Sequence, residues 1–250
     1  MKNTSLNQKR RKFAVFDIDG TLFRDALFSE IAYELLAMGV IEEKVFAQAL
    51  TQRAHYERRD HDDAFQEFMH SLAVALEQEI PRVRTADYDA AVSKVAAEKL
   101  DHVYTYTRDL ANKLKEDGYF LLAISGSQYE IVEAFAKKYH FDAWVGEKWE
   151  RGSKYFTGKI SVTHVAKGNL LRQKIQELGL TLTGSYAVGD TMGDIELLEM
   201  VENPIAFNPN RELYNTALTR GWKIVVERKN VKYELEEGND GSYVLARPEA

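Results

Sequence analysis

Residues 12–25 read KFAVFDIDGTLFRD. Two carboxylates, Asp17 and Asp19, close a run of apolar and aromatic residues, and a glycine and a threonine follow. In an extended chain residues i and i+2 face the same side, so both acids reach one site. Such a pair has a definite chemistry toward a phosphate ester. One carboxylate can attack phosphorus and form an acyl phosphate, which divides one hard displacement into two easier ones. The other can protonate the departing alcohol and later take a proton from water. An Asp-x-Asp-Gly by itself is also an ordinary turn, so the pair needs partners elsewhere in the chain.

Candidate partners recur in order. Ser125, Gly126 and Ser127 follow the apolar run FLLAI, Lys167 opens a helical pattern, and Asp190 and Asp194 stand in GDTMGD after SYAV. Each has a plain structural use when taken singly. Ser125 could cap a helix, Lys167 could be a surface residue, and Asp194 could be a first-turn acid favoured by the helix dipole. Together they describe a phosphate site. Several acids beside a phosphate dianion would repel it, and Mg²⁺, which takes hard oxygen ligands, removes the conflict. A lysine, a hydroxyl and a backbone N–H can hold the remaining phosphoryl oxygens.

The elements that must position these residues follow from periodicity. Residues 13–18 (FAVFDI) predict a buried strand. Leu27, Ile31, Leu35 and Met38 predict a helix stopped at Gly39, and Ile41, Val45 and Leu50 begin a second. Phe65, Phe68, Leu72 and Leu76 predict a third, ended by Pro81. Val92, Val95, Val103, Leu110 and Leu114 read as one fourth helix stopped at Gly118. No strand is expected between about 25 and 105. Strand and helix alternate afterwards. Strands are expected at 119–125, in two short pieces about Gly152, and at 185–190, 204–208 and 223–228. Helices are expected around Ile131–Tyr139, at 167–179 with Gly179 as its cap, at 194–201 and at 211–222. This alternation implies a doubly wound, mostly parallel α/β sheet, in which ligands bind at the carboxyl ends of the strands. The acids, the serines and Asp190 all fall at such ends.

With those four motifs in this order, the chain resembles the haloacid dehalogenase superfamily of phosphatases and phosphotransferases, and within it the phosphoserine-phosphatase-like branch of subfamily IB. The resemblance runs from about 13 to 228. It implies a Rossmann-like core at 11–24 and 106–228, an inserted all-helical C1-type cap at 25–105, and a tail at 229–250 that could form a β-hairpin. It implies a Mg²⁺-dependent phosphatase acting through an aspartyl phosphate, with Asp17 as nucleophile and Asp19 as general acid and base. An acid at the second position marks the phosphatases, since the dehalogenases lack it. The implied metal ligands are the Asp17 carboxylate, the Asp19 carbonyl and Asp190, with Asp194 behind them or orienting the lysine. Ser125, Gly126 and Lys167 would bind phosphate. Arg24, Arg53 and Arg58 are candidates for an anionic group of the substrate, with Arg59 beside them. A phosphotransferase passing the phosphoryl group to an alcohol, phosphoserine phosphatase itself, and a non-catalytic binding protein are the alternatives. Two departures argue against phosphoserine: Ala26 stands where that branch carries an amine-reading Glu, and Gly193 where it carries an Asn.

Composition narrows the setting. The net charge of -6 argues against a nucleic-acid partner. Cysteine is absent, which excludes disulfides and thiolate metal sites and fits a reducing cytoplasm. No apolar stretch suits a signal peptide or a membrane span. The cap that the resemblance implies would limit substrate size, so the expected partner is a small phosphorylated metabolite. Residues 55–63 (HYERRDHDD) read as a solvated helical face rather than a metal site, and Trp144, Trp149 and Trp222 as packing residues. Residues 1–11 read as an exposed polar arm.

Overall fold

The computed structural model describes residues 11–61, 63–161, 167–229, 231–238 and 241–245. The polar arm apart from Arg11, Asp62 within the histidine-bearing stretch, and parts of the tail lie outside the described residues. Among the described residues nine strands form one sheet. β1 (Arg11–Phe16) is near its centre, flanked by β2 (Phe120–Gln128) and β5 (Leu180–Gly189), both parallel to it. β3 (Ala143–Arg151) continues the parallel sheet beyond β2, and β6 (Asn203–Phe207) and β7 (Lys223–Arg228) continue it beyond β5. The outer strands are antiparallel: β4 (Phe156–Ser161) on β3, then β8 (Val231–Glu237) on β7 and β9 (Tyr243–Leu245) on β8. This is the Rossmann-like, mostly parallel α/β architecture expected from the alternating pattern.

β1 is apolar on both faces because both faces are covered. Ala14 and Phe16 belong to one core with Leu121, Ala123 and Phe135. Phe13 and Val15 belong to a second core with Leu122, Ile124, Leu171, Leu197 and Leu213. Successive side chains thus enter opposite layers. The first layer holds α6 (Tyr129–Lys138) and α5 (Thr105–Glu116). The second holds α7 (Lys167–Leu178), α8 (Ile195–Glu199) and α9 (Arg211–Arg220). Gly179 ends α7 at φ +62, the left-handed conformation in which glycine carries no side-chain penalty.

Between β1 and α5 come α1 (Leu27–Ala37), α2 (Ala47–Arg58), α3 (Ala64–Glu79) and α4 (Thr85–Glu98). The expected helix from Val92 to Leu114 is two helices. The chain between them turns at 99–101 and then runs back beside the first crossing, with Val103 bridged to Phe23 and Tyr104 N–H donating to the Leu22 carbonyl. Residues 99–104 contain neither glycine nor proline, so nothing in the pattern marked the break. The second helix begins later than Ile41, after a 3₁₀ turn at Glu43–Phe46. In the tail β8 pairs antiparallel with both β7 and β9, so that its described strands extend the main sheet.

Both crossings between the helical insertion and the sheet meet at one buried acid. Glu227, near the end of β7, accepts from Arg24 Nη2 at 2.6 Å and from the Thr105 and Tyr106 N–H groups at 3.1 and 2.7 Å. Those two N–H groups open α5, where a helix leaves its first donors unpaired and favours negative charge. Arg24 also donates from Nε to the Val103 carbonyl at 2.9 Å and lies 4.6 Å over the Tyr104 ring. One carboxylate therefore satisfies the entering strand, the returning strand and a helix start. Glu227→Gln keeps the shape but leaves the Arg24 charge unpaired. It should lower the urea unfolding free energy by about 1–3 kcal/mol at unchanged m. A loss below about 0.5 kcal/mol, the range of an ordinary surface substitution, would contradict the junction.

Candidate active site

Parallel strands bring their carboxyl ends to one edge, and β1 lies between β2 and β5 there. The residue after β1 is Asp17, whose N–H donates to the Val188 carbonyl of β5 at 3.0 Å. Ser125 and Ser127 end β2 on the other side. Asp190 follows β5 directly, and Asp194 closes the 3₁₀ turn Met192–Asp194, where it forms a reciprocal capping box with Thr191. Lys167 is the first residue of α7.

The sequence-chosen residues Asp17, Asp190, Asp194 and Lys167 converge. Lys167 Nζ donates to Asp17 Oδ1 at 2.6 Å and to Asp194 Oδ1 at 2.7 Å. Asp17, Asp190 and Asp194 each offer a carboxylate oxygen within 4.8 Å of the others. This all-oxygen set suits a hard divalent cation such as Mg²⁺. The surroundings fit one as well. Gly20, at φ +79, lies so close to Asp190 that a Cβ would collide with its carboxylate. Asp194 Oδ2 also accepts the Asp190 and Thr191 N–H groups at 3.2 and 3.3 Å. Asp194 thus orients the lysine and also faces the carboxylate cluster.

Burial raises the Asp17 pKa to about 8, outweighing the Lys167 ammonium, while Asp194 and Asp19 push the same way. Asp190 is also raised well above the ordinary carboxylate range, by burial and then by Asp17 and Asp194. Burial alone would lower the Lys167 pKa, but Asp17 and Asp194 raise it instead, so its ammonium persists. Asp19 is turned to the β2 side. Its Oδ2 accepts the Ser125 and Ser127 hydroxyls at 2.7 and 2.8 Å, and its Oδ1 accepts the Leu27 N–H at 2.6 Å. Burial raises its pKa, opposed by those three donors.

A cavity of about 820 Å³ opens over these groups. Gly126, Asp17, Asp19, Lys167 and Asp190 line it, together with residues from α1, α2 and α3. Ser125 is fully buried and does not line it, while Ser127 does. The second serine, two residues on along the same strand face, was named in the sequence motif but not among the expected phosphate-binding residues Ser125, Gly126 and Lys167. Of the three arginines, Arg24 lines the cavity but is held by Glu227, and Arg53 lines it with Nε on Glu57 at 2.8 Å. Arg58 is outside it, bonded to Asp60 at the exposed end of α2. His55 faces the same Asp60 at 2.7 Å, as a solvated face would. Trp149 packs against Tyr88 and Phe156 and also lines the cavity. Gln128 and Glu147, buried lining residues, carried no motif that could have singled them out.

The burial of Asp17 has a signed consequence. In metal-free protein the fold keeps its proton up to about pH 8, whereas the unfolded chain releases it above pH ~4. The unfolded state therefore binds fewer protons in that window, and the Asp17 contribution to stability falls as pH rises from ~4 to ~8. In EDTA, the Tm of wild type should fall relative to Asp17→Asn across this range. Mg²⁺ should raise the wild-type Tm, more strongly toward pH 8, because ligand carboxylates must be ionised. A wild type that gains on Asp17→Asn as pH rises in EDTA would contradict the assignment.

Comparison with known proteins places this geometry in a family. The sequence profile of the haloacid dehalogenase-like hydrolases matches residues 14–199. The chain is 30% identical over 167 residues to an inhibition of morphological differentiation protein from Streptomyces azureus, covering 63% of this chain and 59% of that one. It is 25% identical over 220 residues to a phosphoserine phosphatase from Streptomyces coelicolor, covering 85% of this chain and 48% of that one. The chain thus spans about half the length of the curated relatives it matches. In fold, it superposes with TM-score 0.60 on a structure described as a phospho-aspartyl intermediate analogue of phosphoserine phosphatase, at 21% identity over 88% of this chain and 95% of the other. Among the described residues no helix is long and apolar enough to cross a membrane. The chain belongs to the haloacid dehalogenase-like hydrolase family.

Proposed function

We propose that the protein is a Mg²⁺-dependent phosphatase that hydrolyses a small phosphomonoester through an aspartyl phosphate on Asp17. The observation that carries this reading is the buried cluster of Asp17, Asp190 and Asp194 around the Lys167 ammonium, with Asp19 two residues from Asp17 in the same cavity. When bound by Asp17 and Asp190, with the Asp19 carbonyl and Asp194 beside them, Mg²⁺ supplies charge neutralisation for the phosphoryl oxygens. Lys167 fixes Asp17 Oδ1, which leaves the other carboxylate oxygen to attack phosphorus as the ester P–O bond breaks. Asp19, its pKa raised by burial, gives its proton to the leaving alcohol. It then takes a proton from the water that attacks the acyl phosphate, releasing phosphate and restoring the Asp17 carboxylate. Gly126 N–H and Lys167 would hold phosphoryl oxygens, and the Ser125 and Ser127 hydroxyls, both donated to Asp19, would act through it.

Helices α1–α4 serve as a cap in this reading. Asp19 accepts the N–H of Leu27, the first residue of α1, which ties the proton-transferring acid to the element that would exclude bulk water. A covered site favours small phosphorylated metabolites over phosphoproteins or nucleic acid, and the absence of cysteine supports a cytoplasmic setting. Ala26 and Gly193 both line the cavity and offer no polar side chain there, which speaks against phosphoserine as the preferred substrate.

The test is turnover of p-nitrophenyl phosphate. EDTA should abolish it and Mg²⁺ restore it. Asp17→Asn should remove activity and the capacity for an acid-labile phosphoenzyme, and Asp19→Asn should slow turnover by roughly 10²–10⁴-fold. Full activity in EDTA, or substantial activity in Asp17→Asn, would overturn the reading.

A further inference from the structure

Resting on that phosphatase reading, we infer that the substrate is the phosphate ester of an alcohol that carries an aromatic ring and no ionised group besides the phosphate. The charged side chains of the lining are committed to other residues. Beyond Lys167, two guanidinium groups line the cavity, those of Arg24 and Arg53. Arg24 is held by Glu227 and the Val103 carbonyl, and Arg53 by Glu57. Of the acids away from the carboxylate cluster, Asp25 faces His102 at 3.3 Å, Glu30 faces Lys99 at 3.6 Å, and Glu147 accepts the Trp149 indole N–H at 2.6 Å. Glu77 and His70 are exposed to solvent. Two uncharged polar groups of the lining are also turned to the protein. Ser29 Oγ donates to the Ala26 carbonyl, and Asn208 Oδ1 accepts the Glu227 N–H, each at 2.8 Å. A carboxylate or ammonium on the substrate would give up its water and would have to break one of these pairs to find a partner.

The rings of the lining are the second observation. Tyr56 and Phe65 line the cavity, are 43% and 40% exposed, and have ring centroids 5.0 Å apart. Tyr56 also lies nearly parallel to Phe68 at 6.3 Å. Phe65, Phe68, Met69, Ala73 and Leu76 recur at helical spacing, so α3 turns one apolar face to this space. Phe28 and Tyr33 of α1 and Trp149 of β3 line it as well. Apolar surface left in water gains from a ligand that covers it. Rings add edge-to-face and offset contacts that a saturated body does not make. The volume of about 820 Å³ falls in the range of ~300–1,000 Å³ that takes ligands of drug size, so a ring fits beside the phosphate.

The experiment measures kcat/KM of the Mg²⁺-loaded full chain on primary alkyl phosphates with leaving alcohols of similar acidity: propyl, 3-phenylpropyl, 3-cyclohexylpropyl, 3-aminopropyl and 3-carboxypropyl phosphate. Turnover of p-nitrophenyl phosphate serves as the control. The phenyl ester should exceed the propyl ester about thirtyfold or more, the factor expected when the apolar surface of one ring leaves water. It should exceed the cyclohexyl ester about threefold or more. The amino and carboxy esters should not exceed the propyl ester. Phe65→Ala and Tyr56→Ala, at exposed positions where substitution costs the fold little, should each cut the phenyl-to-propyl ratio about three- to tenfold. Turnover of p-nitrophenyl phosphate with the phenyl ester no better than the propyl, amino or carboxy ester would overturn this inference and leave the phosphatase reading standing. A cyclohexyl ester equal to the phenyl ester would overturn the requirement for an aromatic ring. A ratio unmoved by both variants would overturn the placement of the ring at Tyr56 and Phe65. No turnover of any ester would overturn both readings.

Discussion

Like charges gathered in a buried space repel one another, and each is costly to remove from water. Asp17, Asp190 and Asp194 are gathered in this way with a single ammonium, that of Lys167, lying between two of them. Much of the local backbone answers to that constraint. The Asp190 and Thr191 N–H groups are turned onto Asp194. Gly20 has no side chain where Asp190 needs the volume. Gly189 is equally bare where a Cβ would strike Asp194. Burial, with the repulsion of the neighbouring acids added to it, raises the pKa values of Asp17 and Asp190. An arrangement that holds carboxylates together against their own field is prepared for a cation, and it gains stability when one is bound.

The helical insertion is tied to this edge of the sheet through polar contacts rather than through apolar packing alone. Asp19 accepts the first N–H of α1, and the Ser127 hydroxyl accepts the N–H of Phe28. Glu227 gathers the entering Arg24 and the start of α5. Thr107, at the start of α5, donates to the Thr21 carbonyl at 2.8 Å. These contacts sit within a few residues of the acids. A shift of α1–α4 relative to the sheet therefore changes the hydrogen bonding of Asp19 itself. Hydrogen bonds to charged groups are the stronger kind, so a small number of them can set the position of the whole insertion.

The same contacts alter the reading of the arginines. From sequence, Arg24, Arg53 and Arg58 were equal candidates for an anionic substrate group, since any guanidinium after a catalytic strand or in a cap could serve. The fold separates them. Arg24 is a structural cation at the junction, Arg53 is paired on its own helix with Glu57, and Arg58 is at the exposed end of α2. What distinguishes them is the position of acids such as Glu227, which is 203 residues from Arg24 in the chain.

The sequence by itself determined the strand-helix alternation and the meeting of Asp17, Asp190, Asp194 and Lys167 at one edge of the sheet. Each rests on local rules: period-2 and period-3.6 patterns, and the rule that parallel strands deliver their ends to one edge. Only the tertiary structure decided what those residues touch. It broke the Val92–Leu114 run into two helices, because the chain must cross back beside Phe23 and Leu22 there. It withdrew Ser125 behind Asp19 and brought Ser127 to the cavity. It drew Gln128, Glu147 and Trp149 into the lining, although no motif contains them. The physical reason is that periodicity reports which face of an element is buried, whereas hydrogen-bond partners and cavity walls depend on distances between residues far apart in the chain.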